Sequence, residues 1–311
     1  MTPAPDAVLR DYLTSLAREV EAALSAALPS VPPCPAALDD AMRYSLFAGG
    51  KRFRPVLTLA SADAVNADSR KARALAMPAA CAIEMIHTYS LIHDDLPAMD
   101  DDTMRRGKPT LHVARGEGLA ILAGDALLTE AFAQLARTAS REGVGAARAL
   151  DAIARLAKAA GAQGMVGGQV IDLQAAGHAG GPSAMSADGL RDMHARKTGD
   201  LIRAAAVSGA IMAGGTPAQI RGIDEYAAGL GLAFQIVDDI LDVVGDGQAL
   251  GKTVGKDAAA NKPTYPAMFG IDESRRLAQL AAETAIGAVG AAGVTGDRLI
   301  DIARWVVSRT S

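Results

Sequence analysis

"IEMIHTYSLIHDDLPAMDDD", residues 83–102, begins as an apolar run and ends with five carboxylates in the nine residues 94–102. The apolar part has helical spacing, so the chain sets a block of negative charge at the end of a helix that enters its own core. Two like charges about 4 Å apart repel by roughly 4 kcal/mol at an effective dielectric near 20. Unless these side chains splay into water, something positive must sit among them.

The same helical spacing runs outward in both directions. In "DAVLRDYLTSLAREVEAALSAAL", Val8, Leu9, Tyr12, Leu13, Leu16, Val20 and Leu24 recur at three- and four-residue steps. The proline cluster 29–35 ends that helix, and a second one reaches about Ala48 before Gly49-Gly50. Further helices are expected over 54–65, 70–96, 117–139, 145–174, 187–213, 216–244, 272–290 and 295–309. Alternating strand patterns are nearly absent, and abundant alanine favours helix. Loop-like composition marks 175–186 and 245–263, and neither stretch is long and polar enough to separate two domains. The expectation is all-α: a single large helical bundle, one domain over 1–311.

Composition narrows the function. The chain has 311 residues, half of them apolar, with 31 basic and 35 acidic side chains and a net charge of −4. Such a balance offers no global basic field, which argues against nucleic acid as partner. Two cysteines, Cys34 and Cys81, fit a reducing compartment and exclude a disulfide scaffold. The start lacks a basic segment followed by an apolar run, so no secretory signal is expected. The apolar stretch 204–215 is too short for a bilayer span, and no transmembrane segment is expected. These features point to a soluble, cytoplasmic protein.

A second acidic cluster, "FQIVDDILD", occupies 234–242. On a helix Asp238 and Asp242 lie about 40° apart on one face, with Asp239 beside them and Gln235 a turn earlier. In the first cluster, Asp94 and Asp95 are followed by Asp100, with Pro97 between them to end or distort the helix. Mg²⁺ suits such pairs, because one or two carboxylates plus substrate phosphates commonly hold it. Zinc would need His or Cys at ligand spacing, and an EF-hand would need Asp/Asn at alternate positions and a terminal Glu. One cluster alone would read as a solvated acidic helix end; two inside apolar sequence do not.

The cations stand nearby. "GGKRFRP" (49–55) sets Lys51, Arg52 and Arg54 at a helix start, where an anion is favoured. "MRRGKPT" (104–110) follows the first acidic cluster, and "RKTG" (196–199) and the lysines of 245–263 add more. Alternating with carboxylates, these segments imply a polyphosphate substrate gripped by Arg and Lys and bridged to aspartates by metal. No P-loop or kinase signature is present.

Together, "GGKRFRP", "DDLPAMD…RRGKPT", "GGQVIDL", "KTG" and "FQIVDDILD…GK" resemble the trans-prenyl diphosphate synthases in order and spacing, over nearly the whole chain. The closest resemblance is to the bacterial farnesyl diphosphate synthases. It implies a helical bundle around a deep cavity, usually in a homodimer, with up to three Mg²⁺ per site and Mn²⁺ as a substitute. It implies Asp94, Asp100 and Asp238 as metal ligands, supported by Asp95, Asp239 and Asp242. Gly50, Lys51, Arg54, His87 and Arg106 would hold isopentenyl diphosphate. Arg105, Lys197, Thr198, Gln235, Lys252 and Lys262 would hold the allylic diphosphate. His87 also lies seven residues before Asp94, two helical turns along the same face, although a satisfied core histidine would fit that position too.

Tyr89 lies five residues before Asp94, about 7.5 Å deeper along a helix, and Ser90 follows it. Tyr89 is either ordinary core or the floor that limits a growing chain. In the family resembled, an aromatic residue here accompanies a C15 product and a smaller one a C20 product. The expected activity is thus farnesyl diphosphate synthesis, with geranylgeranyl diphosphate synthesis as the alternative. A non-catalytic synthase subunit is disfavoured because both aspartate motifs are intact. A terpene cyclase is disfavoured by "DDILD" and "GGKRFRP".

Overall fold

The computed structural model describes residues 5–29, 32–140, 142–177, 180, 185–244 and 263–309. Its helices are α1 (Pro5–Ala27), α2 (Ala36–Leu46), α3 (Phe53–Val65), α4 (Ser69–Asp94), α5 (Leu111–Arg115), α6 (Glu117–Ala136) and α7 (Ala146–Ala160). They continue with α8 (Met165–Ala175), α9 (Ala187–His194), α10 (Asp200–Met212), α11 (Pro217–Val244), α12 (Tyr265–Phe269), α13 (Ile271–Ala291) and α14 (Asp297–Ser308). The fold is the expected all-α bundle.

Sequence explains the layering. α1 buries Leu9, Leu16, Val20 and Leu24 on one stripe, each full burial of a leucine contributing roughly 1.5–3 kcal/mol. α3 and α10 are different: nearly every residue of 55–62 and 201–212 is buried. They are central rods, and small residues let them touch. A Cβ on Gly209 would lie 2.0 Å from the Thr58 carbonyl oxygen, so even alanine there would push α10 off α3. Asp68 caps α4 by accepting from Lys71 N at 3.0 Å, and Ser186 caps α9 by accepting from Gly189 N at 3.1 Å.

Three departures from the sequence reading matter for the site. The helix expected over 145–174 is two helices, broken at Gly161–Gly164. A Cβ on Gly164 would meet the Ala159 carbonyl oxygen at 2.1 Å. The helix expected over 187–213 is interrupted by a π-helical turn, Ala195–Gly199. Two short antiparallel strands, β1 (Met104–Arg105) and β2 (Lys108–Pro109), form a hairpin that alternation did not reveal. Its two-residue turn, Arg106-Gly107, has positive φ at both positions (51° and 74°), the geometry that matches strand twist.

Two helices, α4 and α6, are long and apolar enough to cross a membrane by length and composition. In α4, 72% of the apolar window is buried inside the bundle, so its apolarity serves the core; in α6 the share is 33%.

Candidate active site

The first acidic motif begins where α4 ends. Asp94 is the last helical residue, and Asp100 N donates to the Asp94 carbonyl at 2.8 Å, so the chain folds back and returns Asp100 to the helix end. Pro97 lies inside that turn. Burial pushes the Asp94 carboxyl up to about 6. Lys197 and Arg105 oppose this shift, and Asp100 and Asp95 reinforce it. Asp95 is engaged differently. Arg105 grips it through Nε at 2.8 and 3.0 Å and Nη2 at 2.6 Å, with Asp102 3.5 Å from Nη2. The hairpin thus holds one aspartate of the pair and leaves the other under electrostatic stress.

The basic loop surrounds His87. Arg54 Nη1 lies 3.4 Å from His87 Nε2, while the buried Arg54 Nε has no hydrogen-bond partner. Burial and four guanidinium groups, those of Arg54, Arg106, Arg105 and Arg52 in falling order, hold the His87 pKa well below its ordinary value. The ring is neutral, so Nε2 accepts from Arg54. Arg106 donates to the Gly49 carbonyl, and its guanidinium lies so close to Gly50 that a Cβ there would be 2.7 Å from Cζ. Gly50 also has φ of +123°, a backbone conformation that favours glycine whether or not the guanidinium tip steps aside. Arg52 departs from expectation: its side chain points inward, 1% exposed, onto Glu21 and Glu84 at 2.6 Å each. It ties the loop to α1 and α4.

The π turn carries Lys197 and Thr198. Lys197 Nζ pairs with the buried Asp172 of α8 at 2.6 Å. A Cβ on Gly168 would lie 2.3 Å from Lys197 N, so α8 can press against this turn only through glycine. π turns of this kind recur at functional sites because they displace one residue from the helical register.

On α11 the second motif divides by direction. Asp239 is buried; it accepts from Gln235 Nε2 at 2.8 Å and from Tyr265 N at 3.0 Å. Gln235 therefore shares the face of Asp239. Asp238, its side chain 40% exposed, lies 3.8 Å from Arg309, and its charge acts on Lys51 and Arg54. Asp242 is buried one turn further on. A cavity of about 110 Å³ gathers Asp172, His194, Lys197, Thr198, Gln235 and Asp239. Lys252 and Lys262 lie outside the described residues.

Tyr89 is 7% exposed and meets His93 edge-on at 5.7 Å. Burial, then Asp94, pushes its hydroxyl pKa up to about 12. Ser90 Oγ donates to the His87 carbonyl at 2.9 Å.

Three residues beside the candidate site carry no signal in the sequence. Asp172 lies in the quoted "GGQVIDL", but one carboxylate on a helix gave no separate signal. His194 is 5% exposed and stacked on Tyr265, with Nδ1 lacking a partner; it stands one residue before the π turn that only the structure reveals. Arg309 lies over Phe234, 4.2 Å from the ring centroid, close to Trp305 and Asp238. A lone arginine near a chain end carries no motif.

Among the described residues, no three His, Cys, Asp or Glu side chains gather closely enough to hold a metal on their own. The donor set still fits a divalent cation that takes one or two carboxylates from each side and its remaining oxygens from phosphate and water. The stressed Asp94 beside Asp100 is the observation in favour: a cation there would relieve its raised pKa.

The chain resembles the large subunit 1 of a heterodimeric geranylgeranyl pyrophosphate synthase of Arabidopsis thaliana, at 47% identity over 86% of this chain and 70% of that protein. It is 43% identical to a geranylgeranyl diphosphate synthase of Cyanophora paradoxa, over 97% of both. A solved apo structure of an FPP/GFPP synthase from Zymomonas mobilis matches with a TM-score of 0.82 and 36% identity, over 97% of this chain and 99% of that one. The polyprenyl synthetase family model matches residues 35–289, and with this fold and these relatives the chain belongs to that family.

Proposed function

We propose that this chain, a short-chain prenyl diphosphate synthase, couples isopentenyl diphosphate to an allylic diphosphate. The observation that carries the reading is the cluster of Arg54, Arg106 and Arg105 around a neutral His87, next to Asp94 with its raised pKa. A buried guanidinium such as that of Arg54, whose Nε has no hydrogen-bond partner, is stabilised by an anion. Lys51, Arg54, Arg106, His87 and the glycine backbone at 50 would hold the diphosphate of the isopentenyl substrate. Arg105, Lys197, Thr198 and Gln235, with Lys252 and Lys262, would hold the allylic diphosphate.

Asp94, Asp100 and Asp238, supported by Asp95, Asp239 and Asp242, would hold Mg²⁺, which when bound neutralises the leaving diphosphate. The protein's own part is positioned positive charge in a site that excludes water. Lys197 and Arg105 would stabilise the diphosphate as the allylic C–O bond breaks. Lys51 and Arg54 would aim the isopentenyl double bond at the cation that forms. Carbon–carbon bond formation is completed by loss of a proton, taken by the departed diphosphate. This scheme needs no side-chain nucleophile.

Tyr89 supports a C15 product, farnesyl diphosphate. The names of the geranylgeranyl synthase relatives favour C20 as the second reading. The core clusters run through shared helices from α1 to α14, which supports one catalytic unit over 1–311. Exposed Val113, Ile121 and Leu122 on α5 and α6 support a homodimer face, and we read the enzyme as cytoplasmic. The test is to incubate the purified chain with Mg²⁺, labelled isopentenyl diphosphate and dimethylallyl, geranyl or farnesyl diphosphate. Labelled C15 or C20 diphosphate is expected. No elongation with any primer would overturn the reading and favour a non-catalytic subunit.

A further inference from the structure

Arg52 sits between two residues of the proposed isopentenyl diphosphate pocket, yet its own guanidinium is 1% exposed and paired with core carboxylates. Its backbone is left-handed, φ 49°, a conformation that costs a non-glycine residue energy and persists only where its surroundings enforce it. The enforcement is visible. The guanidinium donates to Glu84 on α4, to Glu21 on α1 and to the Leu46 carbonyl at the end of α2. One side chain thus ties the loop between α2 and α3 to three helices. Glu84, 3% exposed, stands three residues before His87 on α4. Its charge also acts on Arg54 and Arg106, so it is a buried carboxylate of the guanidinium cluster, as Asp95 is.

We propose that Glu84, acting through Arg52, is a positioning residue that fixes Lys51 and Arg54 for the isopentenyl diphosphate; this rests on the function proposed above. The left-handed backbone at Arg52, with its guanidinium anchored in the core, sets the course of the loop from which the neighbouring Lys51 and Arg54 project. A planar fork held at two carboxylates fixes orientation as well as distance, which an ammonium could not reproduce. The juxtaposition of Arg52 and Glu84 thereby links the basic loop to the helix that bears His87 and Asp94.

Electrostatics and positioning give opposite signs. Glu84 is an anion beside an anion pocket, so removing its charge should by charge alone tighten diphosphate binding. If Glu84 positions the loop, removing it should weaken binding of the isopentenyl substrate and spare the allylic one. The experiment uses full-length Glu84→Gln and Arg52→Lys, with Glu84→Asp as a milder variant that keeps the charge and shortens its reach. KM for isopentenyl and geranyl diphosphates is measured well below the melting temperature of every variant. We expect KM for isopentenyl diphosphate to rise about tenfold or more in all three, as misplacement of a binding group does, and KM for geranyl diphosphate to stay within about twofold. An unchanged or lower KM for isopentenyl diphosphate, or an equal rise for both substrates, would overturn the proposal. Failure of the wild-type chain to use isopentenyl diphosphate would instead overturn the reading beneath it.

Discussion

Arg105 holds Asp95 through three contacts of 2.6 to 3.0 Å, while among the described residues no cationic side chain pairs with Asp94 at ion-pair distance. Adjacent aspartates in one motif are therefore held differently: Asp95 is paired with Arg105, and Asp94 is not. Asp94→Ala is expected to lower kcat by about 10²–10³, the scale of deleting one preorganised electrostatic group. Asp95→Ala should act mainly by releasing Arg105, raising KM for the allylic substrate more than it lowers kcat. Steady-state kinetics with Mg²⁺ varied separates them: only Asp94→Ala should shift the half-saturating metal concentration. Equal profiles for the two variants would refute the division.

Lys197 depends on a glycine in another helix. A side chain at Gly168 would collide with the backbone of the π turn at 2.3 Å from Lys197 N and 2.7 Å from its Cα. Backbone atoms cannot step aside as a flexible side-chain tip can. Gly168→Ala should part α8 from the turn, break the Lys197–Asp172 pair and lower kcat at least about tenfold, a typical cost of moving a positioned group by about 1 Å. Gly167→Ala, one residue earlier, would not meet Lys197 but Ala162, so it should lower stability without that kinetic effect. If the two variants lose activity in parallel with melting temperature, the contact with Lys197 is not what matters.

His194 carries a pH signature. Burial pulls its pKa from 6.5 to about 4, with Asp172 raising it and Lys197 lowering it. Above the unfolded value both folded and unfolded rings are neutral and contribute nothing. As pH falls below 6.5 the unfolded ring takes up a proton that the folded ring refuses, so stability drops. The slope is about 1.4 kcal/mol per pH unit and ends near the folded value, about 4. His87 acts in the same direction. Asp94 acts in the opposite one, since its raised pKa favours the folded state as pH falls toward and below about 6. Comparing wild type with His194→Phe cancels both. Metal-free chemical denaturation from pH 7 to 4.5 should show a shallower loss in the variant, and parallel curves would contradict a neutral buried ring.

How much of this was readable from the residues follows from what each feature depends on. The acidic motifs, the GGKRFRP loop and the helices are local patterns, and the amphipathic stripe of α1 needs only its own sequence. The interruption at Ala195–Gly199 does not: it exists because α8, through Gly168, and α11, through Gly231, press on a segment whose own spacing is regular. The inward turn of Arg52 is likewise set by Glu21 and Glu84, 31 and 32 residues away. A row of cations in sequence does not reveal which of them is claimed by the core.

Tyr89 tests the floor of the proposed cavity. It lies on α4 one and a half turns before Asp94, is 7% exposed, and its hydroxyl feels the Asp94 charge. The ring is buried and meets His93 edge-on. Truncation removes the ring without touching any proposed ligand of a diphosphate. Two outcomes compete physically. The space could be lost as a destabilising core cavity, at about 3–5 kcal/mol for a large aromatic truncation. Alternatively, a growing apolar chain could fill it and offset that loss. If Tyr89 is the floor, Tyr89→Ala should keep condensing and move the product by one isoprene unit or more beyond that of the wild type. If wild type already makes C20, the same shift should appear as C25, so the prediction holds for either product. Melting temperature and product chromatography on one sample decide it: a folded, active variant with unchanged product length would show that the chain stops against some other residue.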